Sequence, residues 1–398
     1  MSSLPVKSGS VSFPAFPFSV FLIMKHFSFV LFPALFVFLF PLLSCKSSID
    51  DGYSVQTVAS KGGIIAFYPP NGLGDNSYVD SFCSGVQKAA VKNNLLVYDI
   101  CPKNWEDAKK LIDEYIPVCY KLAKEHNLPV IFIFGDEGYL SYFSSYLADK
   151  PGTASFLLFD SKETNLPAVN TVYMPLYGVS YLAGVAAKNL PSKKENARIL
   201  AMIANDTSQS VKDALNGFIA GKGAEWNKKV YDYNFAEWSQ ADSDEFDRLN
   251  FAVVSLKNAK DTSGYYSADV SYALALFAQK INPFDIFFPV CGGSVHGLLR
   301  YNREKGSDSF YTIGMDSDLS VYTSQVPFSV VKHVDSVIQK CIEQWLSEKL
   351  PHHQEFTLAD GYTELVVSES YKNTLSAIVQ EARQTAIDSE CEYYEKNK

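Results

Sequence analysis

The chain has 398 residues, 47% of them hydrophobic and 20% charged, with a formal net charge of −9. That length suits two medium domains. The acidic balance, with no basic stripe carrying interleaved aromatics, argues against nucleic acid as a partner, because phosphate binding needs Lys and Arg to displace counterions.

In chain order, residues 1–23 are rich in Ser, Pro and Phe and carry no clear role. Met24-Lys25-His26 opens a short positive start, and a Phe- and Leu-rich apolar run follows from Phe27 to Leu43. The run ends Leu42-Leu43-Ser44-Cys45, after which the chain turns polar. This pattern predicts a secretory signal peptide over 1–45, with Met24 as an alternative start. A Cys directly after a small residue is similar to a bacterial lipobox, so Cys45 is expected to be lipidated, with palmitate among the acyl groups. The alternative is an uncleaved anchor, since the run is near the lower limit for a spanning helix. Residues 46–61 lack apolar periodicity and suit a tether. Of the seven cysteines, the six beyond Cys45 show no metal or redox spacing, and their pairing is not legible from sequence.

The folded part alternates apolar runs with amphipathic segments. Strands are predicted at 64–68, 95–98, 130–134, 155–159 and 171–174, with helices over 78–93, 105–125 and 140–148 between them, the second interrupted near Pro117. The rhythm repeats with strands at 198–203, 251–254, 285–290 and 310–314 and helices over 180–189, 211–221, 268–280 and 296–303. A long helix over about 330–347, a last strand at 363–367 and a polar, helix-prone tail over 370–398 complete the chain. Continuous apolar strands imply parallel sheets covered on both faces, hence two doubly wound α/β lobes. Polar turns follow the strands at Gly72–Ser77, Gly135-Asp136-Glu137, Asn205-Asp206, Gly292-Gly293-Ser294 and Gly314–Asp318. Ligands of such folds bind outside the carboxyl ends of the strands.

Enzyme signatures are missing. The sequence has no Gly-x-Ser-x-Gly elbow and no Walker loop, and His352-His353 are adjacent, which is not zinc spacing. No catalytic residues, cofactor or metal are expected. His296 reads as a helix-surface or packed residue.

Several stretches resemble, in order, the basic membrane lipoprotein family. Asp75-Asn76-Ser77-Tyr78-Val79, with Gly85 in register, matches its Asp-x-Ser-Phe-Asn motif. Ala183-Gly184-Val185-Ala186-Ala187, Gly217-Phe218-Ile219-Ala220-Gly221, Phe288-Pro289-Val290-Cys291-Gly292-Gly293, Ile313-Gly314-Met315-Asp316-Ser317-Asp318 and the helix start Ser329-Val330-Val331-Lys332 follow. The match spans about 62–367. Val79 stands where the family has Asn, and no aromatic occurs in Ser255-Leu256-Lys257-Asn258, which leaves Tyr265 or Trp238 to cover a base.

The resemblance implies a type I periplasmic-binding-protein fold with hinge crossovers. The first lobe would hold 62–174 plus about 326–349, and the second 175–325 plus about 350–369. It implies a lipid-anchored, monomeric receptor that binds a nucleoside, purines preferred, and delivers it to the permease of an ABC importer at the bacterial cell envelope, on the periplasmic face or the cell surface. The alternatives are a sensor or interaction lipoprotein with a degenerate cleft, or a receptor for a sugar-like ligand.

The candidate ligand residues are Asp75, Ser77, Tyr78, Phe82, Asp136, Gly292, Gly293, Asp316 and Lys332. Tyr78 and Phe82 share a helix face, so either could stack on a base, with core packing the alternative for Phe82. Asp75 either caps the helix or accepts from a base N–H. Asp136 follows a strand directly and would face the cleft. Gly292 and Gly293 allow close backbone approach. Asp316 and Lys332 either serve ribose hydroxyls or pair with each other.

Overall fold

The structure, a computed structural model, describes residues 60–397 apart from 71, 149, 192–196, 260–263, 282 and 307–308. The signal peptide, Cys45 and nearly all of the tether lie outside the described residues.

The first lobe is built on a parallel sheet in the order β13-β5-β4-β3-β1-β2. Its strands are β1 (Gly63–Phe67), β2 (Leu96–Ile100), β3 (Val130–Phe134), β4 (Ala154–Phe159), β5 (Asn170–Tyr173) and β13 (His353–Glu355). Alternation decides the layers. Ile64, Ala66, Ile131 and Ile133 face one core with helix α1 (Tyr78–Asn93), whereas Ile65, Phe67, Val130, Phe132 and Phe134 face the other with helix α2 (Trp105–His126). Helix α2 starts where the Asn104 side chain accepts from Asp107 N–H and ends at Asn127 in the left-handed region. It runs through Pro117 without a break, contrary to the expected interruption.

The second lobe repeats the plan with the parallel order β10-β9-β6-β8-β7. It comprises helix α3 (Tyr177–Lys188), β6 (Ile199–Ile203), helix α4 (Gln209–Lys222), β7 (Tyr231–Asp232), helix α5 (Gln240–Arg248), β8 (Phe251–Ser255), helix α6 (Ala268–Ile281), β9 (Ile286–Val290), helix α7 (Val295–Lys305) and β10 (Tyr311–Thr312). Helices α3 and α4 cross with glycines at the contact. A Cβ on Gly217 would lie 2.1 Å from the Tyr177 carbonyl oxygen, and one on Gly221 would lie 1.9 Å from that of Tyr181. Gly217 and Gly221, with Gly184 opposite them, are therefore the helix-crossing positions of these two segments.

A small third sheet, β11-β12-β14, joins the lobes. Strand β11 (Gly314–Asp316) pairs parallel with β12 (Phe328–Lys332), and β14 (Thr363–Val367) pairs antiparallel with β12. Three expectations change here. Residues 328–332 form a strand, not the start of a helix, because Phe328, Val330 and Lys332 alternate with Ser329 and Val331 along a fully buried ladder. The helix α8 begins only at Val334 and runs to Leu346, packed on α1. Residues 353–355 pair with β5 in the first lobe, whereas Phe328 and Val330 share a core with Ile313 and Met315 of the second. The lobe boundaries thus shift at both returns.

The tail forms one long helix, α9 (Lys372–Lys396), held by buried Leu375, Ala386 and Glu390. Tyr393 stacks on Tyr177 at 4.2 Å between ring centroids, and Tyr394 donates its hydroxyl to the fully buried Asp213, which also accepts from Tyr173 of the first lobe. The ammonium of Lys162 lies 3.7 Å above the Tyr394 ring and 3.7 Å from Asp213. The helix therefore stitches the two lobes together beside the crossover after β5.

Candidate ligand-binding site

The carboxyl ends of the strands of both sheets meet in a cleft, and the loop after β1 is its organising element. This loop is shaped by two carboxylates. Asp75 accepts from the N–H groups of Ser77 (2.9 Å), Val79 (3.1 Å) and Asp80 (3.2 Å), and so serves the free amides of α1. Asp80 accepts in turn from Gly74 and Asn76, both at 2.8 Å. Gly74 and Asn76 take the left-handed backbone that this turn requires, at φ of 88° and 47°. Burial raises the Asp75 carboxyl above the ordinary carboxylate range, and the three amides act against that rise.

Three contacts tie the loop to the opposite side. Ser77 Oγ donates to the Met315 carbonyl at 3.1 Å, Ser317 Oγ donates to the Asn76 carbonyl at 2.8 Å, and His296 Nε2 lies 2.7 Å from the Asp75 carbonyl oxygen. That His296 bond needs the N–H on Nε2. His296 is therefore an interlobe contact, a role that its sequence context did not suggest. Gly293 makes the approach possible, because a Cβ there would meet Asp75 Cβ at 3.3 Å.

Deeper in, a small pocket of about 70 Å³ is lined by Asp75, Tyr78, Val79, Asp136, Asp160, Gly292, Met315, Asp316 and Lys332, with Tyr265 and Tyr266 from the second lobe. It opens into an outer cleft of about 730 Å³ that shares Pro69, Asp136, Asp160, Tyr265 and Tyr266. Lys332, at the end of β12, is its cationic centre. Its side chain is 1% exposed, and its ammonium lies 2.8 Å from Asp160 and 4.9 Å from the Tyr78 ring centroid. Asp136 caps a helical turn by accepting from Gly138 N–H at 2.7 Å. Burial pushes Asp136 up to about 6, against the Gly138 amide, with the Asp160 charge adding to the rise. Burial likewise pushes Asp316 up to about 6, against the pull of Lys332. Tyr78 donates its hydroxyl to the Gly135 carbonyl at 3.0 Å, and burial raises its phenol far above the usual value.

Of the expected residues, Asp75, Tyr78, Asp136, Gly292, Asp316 and Lys332 line one pocket. Ser77 and Gly293 stand behind it and hold the lobes together. Phe82 does not reach the cleft. It is fully buried and packs edge-on against Tyr68 at 5.6 Å and Phe159 at 5.3 Å. Lys332 pairs with Asp160, not with Asp316. Trp238 packs against the second-lobe core beside Tyr231 and Phe246, and of the two expected aromatics only Tyr265 lines the cleft, next to Tyr266. Val79 packs on Gly72 and borders the pocket, so an apolar surface stands where the family has an amide. Sequence reasoning missed Asp160, Tyr266 and Ser210, all three of which line this pocket. The rule that selects Asp136, a carboxylate directly after an apolar strand, also selects Asp160 after Phe159.

Among the described residues, no group of His, Cys, Asp and Glu is arranged to hold a metal ion. No described helix is long and apolar enough to cross a membrane.

Solved structures share this architecture. An ABC-transporter solute-binding protein from Aeropyrum pernix K1 superposes with a TM-score of 0.58 over 84% of this chain and 86% of its own, at 14% identity. This is the type I periplasmic-binding-protein fold. A transcriptional activator of the comK gene from Bacillus halodurans has the same fold, with a TM-score of 0.55 over 82% of this chain and 97% of its own, at 15% identity. A sugar transporter from Clostridium phytofermentans matches at 0.52 over 77% and 99%, at 17% identity. No family model matches the chain, and no curated protein does. The pocket described above lies in the cleft between the lobes, and the chain crosses between the lobes after β5, β12 and β13.

Proposed function

We propose that this chain is an extracytoplasmic solute receptor, anchored through Cys45, that closes on a small polyhydroxylated ligand and delivers it to an ABC importer's membrane subunits. The observation that carries this reading is the pocket itself. Asp75, Asp136, Asp160, Asp316 and a single buried Lys332 converge with tyrosines where the carboxyl ends of two doubly wound sheets face each other. Carboxylates accept from hydroxyls, an ammonium donates to them, and tyrosine rings cover an apolar face. With carboxylates outnumbering the cation, the pocket favours a neutral or cationic ligand over a phosphorylated one. The arrangement is one for holding a ligand, and the reading includes no catalytic step.

The ligand we favour is a nucleoside, on the order and register of the motifs shared with the basic membrane lipoproteins. A free or linked sugar is the second reading, supported by the sugar-transport neighbours and by one such protein, from Actinobacillus succinogenes, solved with D-allose. A sensor role draws support from the regulator of the same fold. The test is to purify residues 46–398, denature the protein and identify any released small molecule by mass spectrometry. Thermal shifts with nucleoside and sugar panels follow. A nucleoside supports the first reading and a sugar the second, while an empty protein with no shift from either panel overturns the receptor reading.

A further inference from the structure

We propose that the cleft has a second, outer subsite, in which a ring attached to the ligand's sugar packs against the stacked aromatic pair Trp105 and Tyr142. The ligand would then be a glycoside, N- or O-linked, and not a free monosaccharide. This inference rests on the receptor reading above.

Two observations carry it. The first is size. The inner pocket of about 70 Å³ holds the carboxylates and Lys332, whereas the contiguous outer cleft is about 730 Å³. A single small ring held by Asp136, Asp160 and Lys332 leaves most of that space to water. The second is the chemistry of the walls. Trp105 and Tyr142 lie nearly parallel, with centroids 5.9 Å apart at 17°. Both are partly exposed at the cleft. Their position is fixed in advance. Trp105 is the first residue of α2, directly after the Asn104 cap, and its indole meets Tyr139 edge-on at 5.2 Å. Gly138 gives the indole room, since a Cβ there would lie 2.6 Å from the ring. A preordered aromatic wall loses little entropy when a ring stacks on it. The second lobe supplies hydroxyls and amides to the same cleft from Asn205, Thr207, Ser208 and Asn258. An aromatic pair on one side and polar groups, Lys257 among them, on the other suit a ring with an apolar face and hydrogen-bonding edges.

The test compares ribose with adenosine, and glucose with 4-nitrophenyl β-D-glucoside, by isothermal titration. The proteins are wild type and the Trp105→Ala, Trp105→Phe and Tyr142→Ala variants, each checked for an unchanged melting transition. In the wild type, at least one glycoside binds about tenfold tighter than its free sugar. Trp105→Ala removes that gain and leaves the free sugar's affinity unchanged, and Trp105→Phe restores most of it. Should Trp105→Ala unfold, Tyr142→Ala carries the same expectation. Equal affinity for sugar and glycoside, or a gain that survives both alanine variants, overturns the outer subsite and leaves the receptor reading intact. Failure of all four compounds to bind the wild type counts against both.

Discussion

Replacing Lys332 with Met should expose how the pocket's charges are balanced. The ammonium is 2.8 Å from Asp160, and it also lowers the carboxyl pKa of Asp136 and Asp316, both of which burial holds near 6. Breaking a buried pair by removing one partner costs about 3–5 kcal/mol. Asp160 is 23% exposed at the cleft, so water recovers part of this, and about 2–3 kcal/mol is expected at pH 8. The sign of the pH dependence follows from the raised carboxyls. A carboxyl whose folded pKa lies above its unfolded value contributes stability that is fully present below about pH 4 and is lost as the pH rises through the folded value. In wild type that loss runs from about pH 4 to about pH 6. Without Lys332 both carboxyls rise further and the window moves up. Lys332→Met should therefore lose most at pH 8 and recover to within about 1.5 kcal/mol of wild type at pH 5. Urea unfolding at the two pH values measures this, with Lys332→Arg as the charge-preserving control. An equal deficit at both pH values, or none at pH 8, would refute the electrostatic reasoning.

Other positions give sharper structural outcomes. Gly221→Ala should destabilise the protein by at least about 3 kcal/mol in chemical denaturation, because its Cβ would lie 1.9 Å from the Tyr181 carbonyl oxygen. Gly152→Ala, where no atom stands within 4 Å, should stay within about 0.5 kcal/mol. His296→Ala removes the bond to the Asp75 carbonyl and should speed ligand dissociation about fivefold in stopped-flow, the equivalent of about 1 kcal/mol. An unchanged rate would mean that this contact does not hold the lobes closed. Glu390 is buried between Gly178 N–H and Leu358 N–H, and burial pushes its carboxyl up to about 7. Its contribution to stability is present below about pH 4.5 and lost as the pH rises through about 7. Glu390→Gln should flatten the decline in melting temperature between pH 5 and pH 8, and an unaltered slope would assign that decline to other groups.

Much of the fold was legible because its strands are apolar on both faces. Runs such as Val130-Ile131-Phe132-Ile133-Phe134 can be stable only inside a parallel sheet covered by helices, and the helical segments between them leave few topologies. The pocket was partly legible for the same reason. Polar residues directly after such strands must gather at one edge, which brought Asp136, Gly292 and Asp316 into view. Segments with mixed signals misled. Phe328-Ser329-Val330-Val331-Lys332 precedes a long amphipathic helix and reads as its first turn, yet pairing with β11 and β14 on both sides makes it a strand. Nothing local marks 353–355 as an edge strand of the first sheet, since only the returning chain brings it beside β5.

By itself, then, the sequence determined most element types, the doubly wound layering and the edge where the polar turns gather, because these follow from hydrophobic periodicity and strand polarity. The tertiary structure decided which side chains share the pocket. It turned Phe82 into core, paired Lys332 with Asp160, set His296 and Ser77 to hold the lobes, and brought Trp105 to the mouth of the cleft. These outcomes depend on contacts between residues far apart in the chain, which no local pattern encodes. The loop from Gly72 to Ser77 shows the division: its glycines and aspartates specify the turn, but only packing places Val79 against Gly72 and makes that wall of the pocket apolar.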